Sequence, residues 1–105
     1  MDNQMKRGLL DVCVLRAIRD AESYGYQILK DLAPCIHLTE STLYTVLRRL
    51  EKLLMLTVRT VEYNGRLRKY YRITALGRKR LEDFRLEWRE MAAIYQFVCK
   101  EAETK

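Results

Sequence analysis

Apolar residues recur along the chain in stretches of definite period, with turn signals between them. In residues 5 to 20, MKRGLLDVCVLRAIRD, Leu9, Leu10, Val12, Cys13, Val14, Leu15, Ala17 and Ile18 leave hardly any polar side, which predicts a buried helix rather than a surface one. A second helix is expected from SYGYQILKDLA, with Ser23 capping its free N–H groups and Pro34 preventing its continuation. Tyr24, Ile28 and Leu32 would form its inner side. Thr39 caps a third helix, ESTLYTVLRRLEKLL. At about 100° per residue, Leu43, Val46, Leu47, Leu50, Leu53 and Leu54 gather on one side. Ser41, Tyr44, Thr45, Arg48 and Lys52 fall on the other, with Arg49 at its margin and Glu51 on the opposite flank.

The period then changes. Asn64-Gly65 tolerates φ > 0 at both positions and is a strong signal for a two-residue hairpin turn. Strands are expected from Leu56 to Tyr63 and from Arg66 to Ile73. Pairing Tyr63 with Arg66 sets Val61 opposite Arg68, Arg59 opposite Tyr70 and Thr57 opposite Arg72, so that one face collects four arginines. The other face pairs Leu56 with Ile73 and Val58 with Tyr71, an apolar base that can sit on the helices, with Thr60, Lys69, Glu62 and Leu67 toward the tip. A two-stranded ribbon is marginal alone, so its base must pack while its tip projects as a wing. From Thr74 toward Glu103 a long helix is expected. Leu81, Phe84, Trp88, Met91, Tyr95, Val98 and Ala102 follow one another in steps of three and four, the seam of a coiled-coil contact. This helix outruns a small three-helix core, and its excess seam calls for a partner, for which a second copy of the chain is the symmetric choice. The fold class that results is mainly α with a small β-hairpin (α+β).

Charge sharpens the picture. Residues 44 to 80 hold eleven Lys/Arg against two acids, whereas the rest holds nine against twelve. The net charge of +6 is therefore a basic block within a slightly acidic chain, the footprint of a polyanion binder. At 105 residues the chain is one domain of modest core, to which a partner surface would add stability. No apolar run is long enough to span a membrane, so a cytoplasmic location with no membrane partner is expected. Cys13, Cys35 and Cys99 are odd in number and far apart, with no CxxC and only His37 for company. They are expected to be reduced and mostly buried, with no metal site. No nucleophile–base pair, phosphate loop or metal spacing occurs, which argues against an enzyme and against a cofactor.

Three helices, a basic hairpin and a terminal helix spell a winged helix-turn-helix. Two motifs narrow it: TESTLYTVLRRLEK at 39 to 52 and GRLRKYYRITALGR at 65 to 78, with YGYQI at 24 to 28 opening the second helix. Together they resemble the PadR family of bacterial transcriptional regulators over nearly the whole chain. The single helix after the wing is similar to the family's shorter subgroup. The resemblance implies a winged helix-turn-helix at 1–74 and a dimerisation helix at 75–105. The sequence departs from the family pattern at Ser41, at Thr45 and at LLML after Lys52, where a Gly usually ends the helix in a left-handed turn. A leucine resists φ > 0, so either the helix runs on or the joint to the wing is reshaped.

The resemblance also implies a mechanism. A homodimeric repressor would grip a pseudo-palindromic operator in double-stranded DNA, with the third helix in the major groove and half-sites one helical turn apart. Ser41, Thr42, Tyr44, Thr45, Arg48, Arg49 and Lys52 are the candidates on that helix. Ser41, Thr45 and Arg48 are placed against bases and the others against phosphates. Asn64, Gly65, Arg66, Arg68, Lys69 and Tyr70 are the candidates on the wing. Leu81, Phe84, Trp88, Met91, Tyr95 and Val98 would join the dimer. Trp88, with Met91, either only fills that interface or marks where a planar aromatic or phenolic effector enters and relieves repression. The competing classes are a winged-helix module for protein contacts and an RNA-binding one.

Overall fold

The computed structural model describes residues 1–101. Asp2 opens the first helix by accepting the Met5 N–H on its side chain, and α1 runs Asn3–Ala17. Its wide apolar surface is used on several sides, with Val14, Leu15 and Ile18 almost wholly enclosed.

The next segment departs from expectation. Ser23 does not cap a helix: Ser23–Tyr24 forms a short strand, β1, and α2 is confined to Gly25–Leu32 with no side-chain cap. The cause lies far along the chain. The wing strands are β2 (Leu56–Tyr63) and β3 (Arg66–Ile73), and β3 presents a second edge that takes up residues 23 and 24 as Ser23 opposite Tyr71 and Tyr24 opposite Tyr70. The sheet therefore has three antiparallel strands in the order β1-β3-β2. Ser23 is buried there, and its hydroxyl lacks a hydrogen-bond partner. The rest of the hairpin follows the expected register, from Leu56 opposite Ile73 to Tyr63 opposite Arg66. Asn64 and Gly65 turn it with φ of 50° and 74°. Leu56, Tyr71 and Ile73 close over the helices as the buried base. Burial is the main reason the Tyr71 phenol titrates above its ordinary value, with Tyr44 and Glu51 adding to it.

Thr39 caps α3, Glu40–Lys52, by accepting the Thr42 N–H at 3.2 Å. Leu43, Val46, Leu47 and Leu50 are its buried side, but Leu53 and Leu54 are exposed rather than part of that stripe. They lie beyond the helix, because it ends in a Schellman motif. The Met55 N–H reaches back to the Leu50 carbonyl at 2.9 Å and the Leu54 N–H to that of Glu51 at 3.0 Å. Leu54 itself takes the left-handed position, with φ 61°. The helix neither runs on nor reshapes its exit; a leucine stands where glycine is favoured.

One residue then ties the joint together. The Thr74 hydroxyl donates to the Leu54 carbonyl at 2.7 Å and accepts the Gly77 N–H at 3.1 Å, while the Thr74 N–H donates to the Met55 carbonyl at 3.1 Å. Thr74 thus caps α4, Ala75–Cys99, while satisfying the carbonyl of Leu54 in the turn that follows α3. A Cβ on Gly77 would lie 2.3 Å from the Met55 carbonyl oxygen, so only glycine permits this approach. Leu81 packs against the core, and the remainder of α4 extends beyond it. Ala102, the last expected seam position, lies outside the described residues.

Candidate nucleic-acid interface

The outward side of α3 is presented as its period requires. Ser41, Tyr44, Thr45, Arg48 and Lys52 are exposed. Thr45 donates its hydroxyl proton to the Ser41 carbonyl at 2.9 Å, which leaves its oxygen free to accept. Thr42 is half-buried and receives the Thr39 hydroxyl proton at 2.9 Å, so its side chain belongs to the helix cap. The Tyr44 ring leans on the start of α2, where a Cβ at Gly25 would meet its hydroxyl at 2.8 Å. Among the described residues, Arg48, Lys52, Arg66 and Lys69 form no ion pair.

Arg49 is placed elsewhere. It is half-buried and pairs with Asp11 of α1, so it locks α3 to α1 and is not brought together with the exposed cations. Its position at the margin of the helix put it within reach of either side, and only the acid on α1 decides which.

α3 and the wing enclose a cleft of about 1300 Å³. Tyr44 and Arg48 line one wall, Thr60, Arg66 and Lys69 the other, and Tyr24 and Tyr26 the end near α2. Glu51 is the one acid among its lining residues. Hydroxyls and cations around a cleft with a single carboxylate make a surface of donors suited to phosphate oxygens. Tyr26 and Thr60 were not identified from the sequence. Tyr26 is 64% exposed. Its signal was an aromatic residue off the Ile28–Leu32 face, which has no core to enter.

The face expected to collect four arginines divides. Arg66 at the tip is exposed. Arg59 forms a two-point pair with Glu22, one arm being Nε to Oε2 at 2.9 Å, and lies 5.1 Å from the centroid of the Tyr70 ring. Arg68 is stacked between Tyr24 and Tyr63, at 4.2 and 4.4 Å from their centroids. Arg72 lines a second cleft with Arg19, Asp20, Glu22 and Arg78. Arg68 and Tyr70, grouped with the wing's DNA candidates in the sequence, are thus engaged within the sheet, whereas Asn64, Gly65, Arg66 and Lys69 stand exposed. The hydrogen bonds from Arg59 hold the Glu22 carboxyl below its usual range, and the one from Arg19 does the same for Asp20.

On α4, Phe84 is half-buried and stacks on Trp88 with ring centroids 5.8 Å apart. Trp88, Met91, Tyr95 and Val98 are exposed, and so are Leu86, Ile94 and Phe97. Of the cysteines only Cys13 is sheltered; Cys35 and Cys99 are exposed, contrary to expectation. Burial, and then its neighbour Cys35, pushes the Cys13 thiol up. Among the described residues no group of His, Cys, Asp and Glu could hold a metal ion, and no helix is long and apolar enough to cross a membrane.

Comparison with known proteins agrees with this architecture. The family model of the PadR-like transcriptional regulators matches residues 14–83. An uncharacterised protein of Lysinibacillus sphaericus is 38% identical over 93 residues, covering 84% of this chain and 85% of its own. A PadR family transcriptional regulator from Eggerthella lenta superposes with a TM-score of 0.83 at 30% identity, over 94% of this chain and 88% of the other. Bacillus subtilis PadR, solved in complex with operator DNA, superposes with a TM-score of 0.67 at 25% identity, over 72% of this chain and 46% of its own. With the family model spanning two thirds of its length and the winged helix in place, the chain belongs to the PadR-like family of transcriptional regulators.

Proposed function

We propose that the protein is a homodimeric, sequence-specific DNA-binding repressor that works in the cytoplasm. The observation that carries this reading is the cleft between α3 and the wing, in which unpaired cations and free hydroxyls from two elements face one space with one acid. A relative bound to operator DNA supports it. In this reading α3 lies in the major groove with Ser41, Thr45 and Arg48 toward base edges, while Lys52, Tyr44, Tyr26, Arg66 and Lys69 hold phosphates. Residues 1–74 read DNA and residues 75–105 join two copies, through Trp88, Met91, Tyr95 and Val98. The paired reading helices then demand a pseudo-palindrome with half-sites about 34 Å apart. An aromatic effector entering beside Trp88 and Met91 would relieve repression by changing how the copies pair.

The test is a fluorescence anisotropy titration of labelled duplex DNA at two salt concentrations, followed by selection of bound genomic fragments. The affinity should fall steeply with salt, and Arg66→Ala with Lys69→Ala should flatten the log–log slope by about two units. Salt-insensitive binding, or equal preference for an RNA hairpin, would remove the repressor reading. Planar dyes that leave the Trp88 fluorescence unchanged would remove the effector.

A further inference from the structure

A continuous column of side chains climbs the face of the wing that carries Arg59, Arg68 and Tyr70, and it touches all three strands. It starts at Glu22, just before β1, which grips Arg59 of β2. Arg59 lies over the Tyr70 ring of β3. Tyr70 meets Tyr24 of β1 edge to face, with centroids 5.7 Å apart and rings at 71°. Arg68 of β3 covers Tyr24 and then Tyr63 at the end of β2. The next residue is Asn64, the first of the turn. The column therefore joins the backbone at the start of α2 to the tip of the wing without a gap.

We infer that Glu22, Tyr24 and Arg68 are positioning residues for DNA binding: Tyr24 and Arg68 border the cleft, but what the three contribute is to hold the tip so that Arg66 and Lys69 meet the phosphates in register with α3. The inference rests on the DNA-binding reading above. Its physical basis is that a hairpin projecting from its base is a soft element, and that a tip free to swing must be ordered at the moment of binding, at a cost in affinity. Cation–π stacking of a guanidinium between two rings supplies order without consuming the cations at the tip. Arg suits this place where Lys does not, since only a planar group stacks on both rings.

Three substitutions separate this from simpler accounts. Glu22→Gln removes a negative charge, which by electrostatics alone strengthens binding to DNA; the positioning role predicts the opposite sign, a loss of roughly three- to tenfold. Arg68→Lys keeps the charge, so a phosphate contact would survive it. Positioning instead predicts weaker binding and a salt slope lower by about one unit, as Arg66 loses its phosphate. Tyr24→Leu should behave like Arg68→Lys. Thermal midpoints monitor the fold, and should Tyr24→Leu fail to fold, the two surface variants decide. If Glu22→Gln binds as tightly as the parent or more so, and Arg68→Lys keeps its slope, the inference is overturned. If the parent itself shows no salt-dependent binding to duplex DNA, the functional reading fails instead. Amide exchange at residues 62–67 in the free protein still judges the column, since faster exchange in Glu22→Gln supports it and unchanged exchange overturns it.

Discussion

Leu54 shows what a single residue can hide. At φ 61° its Cβ crowds the following carbonyl, at a cost of about 1–2 kcal/mol. At 70% exposure its side chain gains little packing in return. Leu54→Gly relieves the strain but frees the unfolded chain, so the expected net gain is up to about 1 kcal/mol. That gain should appear as a rise of several degrees in the thermal midpoint by circular dichroism. The sequence placed Leu53 and Leu54 on an apolar helix stripe because leucines continue that period; the hydrogen bonds that stop the helix come from the backbone and from Thr74, and neither has a local signature. Glu22 carries a second prediction. Its folded pKa lies below the unfolded value of 4.5, so its pair with Arg59 contributes fully above that pH and is lost as pH falls through the folded value. The stability difference between the parent and Glu22→Gln should therefore be present at neutral pH, narrow below pH 4.5 and close in stronger acid, which denaturant titrations across pH would measure.

At the scale of elements, legibility followed the range of the interactions. The hairpin was readable down to its register because the turn lies within it, as the pairing of Thr60 with Lys69 and of Val58 with Tyr71 bears out. The Thr39 cap and the start of α4 near Thr74 were readable for the same reason. β1 was not, since a strand of two residues has no period and exists only because β3 offers a free edge. The pairing of Arg49, set at the margin of the helix, was not readable because its partner Asp11 is 38 residues away. The exposed side of α3 was legible as a set, but Arg68 and Tyr70 became part of the wing's scaffold only when Tyr24 arrived beside them. The joint between α3 and α4 gives this scale its prediction. In Gly77→Ala the new methyl meets the Met55 carbonyl and Ile73 together. A loss of about 1–3 kcal/mol is expected, the usual cost of overpacking that forces the backbone to shift, to be read from the urea midpoint.

The whole molecule measures 71 × 26 × 24 Å, far longer in one direction than a helical core of this size requires, and α4, of 25 residues, is largely exposed beyond Leu81. Tyr95, Phe97 and Val98 are each 69–77% exposed there, an apolar surface that a lone chain in water would not favour. In the proposed dimer, Tyr95→Glu with Val98→Glu would set like charges against a symmetric partner. Sedimentation should show the parent as a dimer and the variant as a monomer, with operator affinity reduced and the thermal unfolding of the winged domain little changed. The same exposed seam was plain in the sequence, because a heptad repeat needs no distant residue to be seen; which surface covers it was not.

Thr74 gives the molecule a mechanical property. Because its hydroxyl binds the Leu54 carbonyl just after α3 and the Gly77 amide in the first turn of α4, the two helices are coupled at that point. A helix of 25 residues is about 37 Å long, so a tilt of roughly 3° at its root displaces the far end by about 2 Å. Conversely, a displacement imposed on the far end becomes only a small rotation at the root, beside the end of α3. A single threonine thereby links a large movement outside the domain to a fine one at the end of α3.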